Sequence, residues 1–229
     1  MLIFGFDALR QNPEGFAAIL GAYAVAVITG IAFHEFSHAL TALELGDGTA
    51  ARQGRVNLNP LRHLDPLGTA LLFLVGFGWG KPTPVSPRQL RYGPRVGYAI
   101  VSGAGPLSNL VFALIAAFVI RLGIVDYVNP YSLNVLRYAA PGDLFISAIL
   151  SLNIVLGVFN LIPIPPLDGF TVVQGIVPAP VARGLDALAP WGPGLLMLFF
   201  ALSFLTGGAI NPIGDIMGPF VDHVAEALL

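Results

Sequence analysis

From Phe16 to Phe33 the chain carries no charged residue, and this run leads directly into His34-Glu35-Phe36-Ser37-His38. An uncharged stretch of about 20 residues is what a helix needs to cross a bilayer, so the two histidines are expected at the end of a membrane helix. In an α-helix, residues four apart lie on one face about 6 Å apart at Cβ, close enough for two imidazoles to share one metal ion. Glu35 then stands beside the ion, where a general base for an activated water belongs. Ionisable groups set in hydrocarbon are costly and mark functional sites by default.

Composition widens this from one helix to the whole chain. Of 229 residues, 55% are hydrophobic and 10% charged, with a mean hydropathy of +0.78. That is far more apolar than a soluble domain, so an integral membrane protein in contact with the lipid bilayer is expected. A net charge of −2 gives no electrostatic footprint for nucleic acid. The absence of cysteine rules out thiolate ligands and leaves only His and carboxylate to hold a metal. Met1 to Arg10 lack the pattern of a removable signal peptide, so the mature chain is expected to begin near Met1.

Four apolar runs are long enough to span: Phe16 to about Leu45, with the histidine motif at the end of its apolar part, and the uncharged Val96 to Ile120, Leu144 to Ile162 and about Pro193 to Ile210. Pro66 to Gly80 is shorter and broken by Gly68, Gly76, Gly78 and Gly80, which suits a re-entrant segment. If it returns to its starting side, Arg52, Arg55, Arg62, Lys81, Arg88, Arg91 and Arg95 share one face, cytoplasmic by the positive-inside rule. Residues 46 to 95 are then inside and the loop from Leu122 to Asp143 outside. Arg52 to Pro60 and Trp79 to Pro87 read as short extended segments whose prolines favour edge strands. The tail from Gly218 to Leu229 reads as a short amphipathic interfacial helix with Phe220, Val224 and Leu228 on its apolar side. The expected architecture is an all-α polytopic membrane protein: four to five transmembrane helices, a short re-entrant segment and a small β-hairpin region, in a single domain over residues 1–229 without accessory soluble modules.

A catalytic zinc site takes three protein ligands and an open position, so two histidines are insufficient. Glu44 lies about 240° round the helix from His38 and faces away. His63 and Asp65, in the basic loop, could reach. Asp168 is the better candidate, a lone carboxylate at membrane depth in Asn160-Leu161-Ile162-Pro163-Ile164-Pro165-Pro166-Leu167-Asp168-Gly169, where prolines end the third long run. Asn109 is a candidate amide donor to the substrate or to a developing oxyanion; an interhelical hydrogen bond is the competing role. Asn153 and Asn160 share a helix face, His63 reads as a solvated loop residue, and Ala99, Gly103 and Gly105 allow close helix packing.

Taken together, His34 to His38, Gly105-Pro106-Leu107-Ser108-Asn109 and Asn160 to Gly169 resemble the site-2 protease family of intramembrane zinc metalloproteases, in its compact branch without PDZ or CBS modules. The resemblance extends over most of the chain through the order and spacing of the three motifs. It implies one Zn²⁺ per chain bound by His34, His38 and Asp168, with Glu35 catalytic. It also implies substrates that are transmembrane segments of other proteins, in a multi-pass protein of a prokaryotic cell membrane. A non-catalytic membrane metal carrier or scaffold would use the same three ligands but has little need for Glu35.

Overall fold

The computed structural model describes residues 13–75, 78–130 and 139–229. Met1 to Arg10, Gly76 and much of the expected outer loop lie outside the described residues. The chain is an all-α polytopic membrane protein, with four units long and apolar enough to cross a bilayer. In chain order its main helices are α1 (Pro13–Glu44), α2 (Pro66–Val75), α3 (Gly93–Arg121), α4 (Pro141–Asn160), α5 (Asp168–Ile176), α6 (Ala179–Asp186), α7 (Gly192–Leu205) and α8 (Pro212–Leu228).

Three long helices form the body. Along α1 the buried residues Ala22, Ala26, Gly30, His34, His38 and Ala42 recur every fourth position, a ridge that carries small side chains into both histidines. Ala22 and Ala26 pack against Leu144 and Ala148 of α4. Gly30 has no room for a side chain, since a Cβ there would lie 2.9 Å from Leu156 Cδ1 and 3.0 Å from Asn153 Oδ1. The other side of α4, Leu150 and Ile154, packs on Ala113, Ala116 and Ala117 of α3. Small residues let these backbones approach closely where lipid offers no hydrophobic drive to bring them together.

The short run Pro66 to Gly80 does not span. Helix α2 has 10 residues, about 15 Å of rise against roughly 30 Å of hydrocarbon. Its two flanks meet: Leu64 and Gly80 form an antiparallel bridge, and Lys81 N donates to His63 O at 2.7 Å. The segment leaves and returns to one place. That bridge is the whole of the strand pairing among the described residues, so the small β-hairpin region expected from Arg52 to Pro60 and Trp79 to Pro87 forms no ladder. Pro82, Pro84 and Pro87 remove the donors a ladder needs, and Pro60 opens a 3₁₀ turn instead.

Two expectations at the C-terminal end shift. The run expected to continue to Ile210 stops at Leu205, because Gly207 and Gly208 adopt positive φ (60° and 88°) and turn the chain. Helix α8 does not lie apart as an interfacial helix. Its Val221, Val224, Ala225 and Leu228 pack on the α3–α4 core, and Arg121 of α3 donates to Ala227 O at 3.3 Å. Val224 and Leu228 of the expected apolar side are in this i, i+3, i+4, i+7 stripe, whereas Phe220 is exposed and Val221 takes its place.

Candidate metal centre

His34 and His38 come from successive turns of α1 with ring centroids 4.6 Å apart and planes at 85°. Each ring is held from behind at Nδ1. His34 Nδ1 lies 2.7 Å from Asn109 Oδ1, and His38 Nδ1 lies 2.7 Å from Val101 O, both on α3. These partners are acceptors, so each Nδ1 carries the proton and each Nε2 presents a lone pair. Asp168 Oδ2 stands 3.0 Å from His34 Nε2 and 3.3 Å from His38 Nε2. The ligand atoms of the three residues all lie within 4.8 Å of one another. With both Nδ1–H groups turned outward, three acceptors converge with no donor among them, an arrangement a cation resolves.

The space among these atoms is kept open by Gly105. A Cβ at that position would collide with Nε2 of His38 and lie 2.6 Å from Nε2 of His34, so any larger residue would fill the seat of an ion. His34, His38 and Asp168, two imidazoles and a carboxylate, fit zinc in ligand type and number, with a fourth position left for water or substrate.

Asp168 reaches the site because Pro163, Pro165 and Pro166 end α4 and turn the chain back toward α3. It is the first residue of α5. That helix is fixed on α3 along its length. Val172 meets Gly103, Gly175 lies against Ala99 with no room for a Cβ, and Arg95 donates to Gly175 O and Val177 O where the helix ends. A cation at a helix C-terminus satisfies its open carbonyls and its dipole.

Asn109 sits behind His34 and is fully buried. Its Oδ1 takes the His34 proton, while its amide donates to Gly30 O at 3.1 Å and to Asn153 Oδ1 at 2.9 Å. Both amide hydrogens are used, so none is free for an oxyanion; the interhelical hydrogen bond is the role its contacts describe. Asn153 completes that chain, whereas Asn160 donates to Leu156 O of its own helix. His63 and Asp65 are outside the cluster. His63 is not solvated but fully buried, with Nε2 2.5 Å from Asn57 O, because the returning loop closes over it.

Glu35 Oε2 accepts a 2.7 Å hydrogen bond from Thr83 Oγ1 and lies 4.0 Å from Arg55 Nη2. The sequence gives little sign of either partner: Arg55 reads as one of seven loop cations and Thr83 as a residue between two prolines. Gly105 reads as a packing glycine within one of the three motifs, with no sign that it keeps the space between the imidazoles open.

No protein-family model and no solved structure matches the chain. Curated relatives do. The chain is 36% identical over 207 residues to "Putative zinc metalloprotease YwhC" of Bacillus subtilis, covering 90% of this chain and 88% of that protein. It is 31% identical over 169 residues to "Putative zinc metalloprotease Rip2" of Mycolicibacterium smegmatis, covering 72% and 61%, and 27% identical over 213 residues to the protein of that name in Mycobacterium tuberculosis, covering 90% and 78%. A relative at this identity along nine tenths of the chain, with paired histidines and a carboxylate gathered among membrane helices, places the chain in the site-2 protease family of intramembrane zinc metalloproteases.

Proposed function

We propose that the chain is, over residues 1–229, a single zinc endopeptidase domain that hydrolyses peptide bonds within or beside transmembrane segments of other membrane proteins. One zinc ion per chain is held by His34, His38 and Asp168, and Glu35 is the general base. The observation that carries this reading is the convergence of two Nε2 lone pairs and one carboxylate oxygen beside a glutamate that is not a ligand. Zinc bound there supplies Lewis acidity to a water and to the scissile carbonyl.

The chain's own residues supply the rest. Asn109 and Val101 fix the tautomers that turn Nε2 inward. Glu35 takes the proton of the attacking water and delivers it to the leaving amine. Both histidines are buried among the helices, where electrostatic contacts are stronger than in water. A substrate helix has its carbonyls tied in backbone bonds and must unwind before cleavage, and the donor-poor extended segment at 79–87 beside Glu35 is a place for an unwound strand. A carrier or scaffold would need no contacts to the Glu35 carboxylate, and Thr83 and Arg55 both make them.

Purified protein incubated with transmembrane peptides, with and without a zinc chelator, tests the reading. Cleavage is expected only with zinc, and Glu35→Gln should retain zinc while losing at least about 10²-fold in rate. Zinc-loaded wild type that binds but cuts none of a broad panel, with Glu35→Gln indistinguishable from it, would favour the carrier.

A further inference from the structure

The two oxygens of Glu35 have different surroundings. Thr83 Oγ1 lies 2.7 Å from Oε2 and 3.0 Å from the Glu35 backbone O, and its single proton favours the closer, charged acceptor. Arg55 Nη2 approaches the same Oε2 at 4.0 Å while its guanidinium donates to Arg62 O and Lys81 O, one carbonyl on each flank of the re-entrant segment. Oε1 receives no hydrogen bond from the described residues. It faces Gly80, where a Cβ would come within 3.6 Å of it.

We propose that Thr83 and Arg55 are positioning residues that clamp Oε2 of Glu35 to the re-entrant loop and leave Oε1 as the oxygen that moves the proton. The inference rests on the peptidase reading, in which Glu35 is the base. A glutamate on a helix surface has several rotamers of similar energy, and a misplacement of about 1 Å can cost a reaction on the order of 10²-fold. The clamp is stiff: Thr83 is β-branched and stands between Pro82 and Pro84, whose rings fix φ. Arg55 is buried and ties both loop flanks to the carboxylate, so closing the loop and placing the base are one event.

Thr83 is the cleaner test, because Arg55 variants also lose the loop contacts. Thr83→Val keeps the shape and removes the hydroxyl. Its kcat should fall roughly 10–100-fold with zinc content unchanged and KM within about twofold. Thr83→Ser should recover kcat to within about threefold, since it restores the donor. A readout free of activity is melting temperature: Thr83→Val should lower it less in a Glu35→Ala background than in wild type, because the shared bond is already gone. Wild-type kcat in Thr83→Val, no recovery in Thr83→Ser, or equal melting shifts in the two backgrounds would overturn the clamp while Glu35→Gln stays inactive. Wild-type cleavage by Glu35→Gln would instead remove Glu35 as the base, and the clamp with it.

Discussion

The two sides of the centre are built differently. On the ligand side, His34, Asn109, Asn153 and the Gly30 carbonyl form a closed chain in which every polar atom has a partner, supported by three packed helices. On the base side, Arg55 Nε, His63 Nδ1 and Thr69 Oγ1 are buried with no hydrogen-bond partner among the described residues, against Arg95 Nε alone where α5 meets α3 on the ligand side. A fully satisfied buried network rigidifies what it touches, and one with unmet atoms is held less firmly. The ligand side therefore reads as preset, and the base side as set by the loop that returns over it.

The largest effect that would break this contrast is steric. Gly105→Ala should abolish zinc binding, because the added methyl occupies the space between the two Nε2 atoms; metal analysis of the purified variant checks it, and full zinc occupancy would show that the seat lies elsewhere. Asp168→Ala leaves two ligands of three and should likewise lose tight zinc. Unchanged zinc affinity in that variant would show that Asp168 is not the third ligand.

Asn109→Ala strikes the ligand side from behind. It frees the His34 ring and should weaken zinc about 10–100-fold, with activity restored by excess zinc. A variant that binds zinc normally but turns over slowly would return Asn109 to direct catalysis. The outer link, Asn153→Ala, should cost less, on the order of 0.6 kcal/mol of stability as for other hydrogen bonds between membrane helices. Hydrogen exchange compares the two sides directly: amides of residues 55–64 and 79–86 should exchange faster than those of residues 101–113 on α3. Equal protection would erase the distinction.

The smallest effect is acid-dependent. Asp47 is buried, which by itself raises its pKa, but hydrogen bonds from Thr49 and Ser86 outweigh that and hold it below the usual carboxylate range. A lowered folded pKa stabilises above the ordinary value near 4, and the gain is lost as pH falls through the lower folded value. Wild type should therefore lose its melting advantage over Asp47→Ala below about pH 4.

The approach of His34 and His38 was legible from sequence because helical spacing alone puts the two imidazoles on one face. Asp168 was legible because prolines that end a membrane helix leave few places for a carboxylate. Asn153 was legible as a residue sharing a face with Asn160, although only Asn153 joins the network. What resisted reading lies in the loop. His63 was expected in solvent, yet burial there depends on residues 64 and 80 meeting, which no local pattern records. The prolines of the extended segments are plain in the sequence, but Pro82, Pro84 and Pro87 lack the N–H donors that pairing needs, so no ladder forms there among the described residues. Thr83 lies 48 positions from Glu35 and carries no motif of its own. Val224 and Leu228 of α8 were legible from helical spacing, but Phe220 was not separable from Val221, because the face that packs is chosen by Leu150 and Ile154 of α4.

Orientation adds an independent constraint: cysteines introduced at the exposed residues 53 and 89 of this cysteine-free chain should label only from the cytoplasmic side. The central claim, a zinc peptidase centre within the membrane helices, is tested most directly by measuring zinc content and transmembrane-peptide cleavage together in wild type and Glu35→Gln. One zinc is expected in both proteins, with cleavage by wild type alone, abolished by chelator and restored by zinc. Cleavage that persists without zinc, or that Glu35→Gln performs at the wild-type rate, would contradict it.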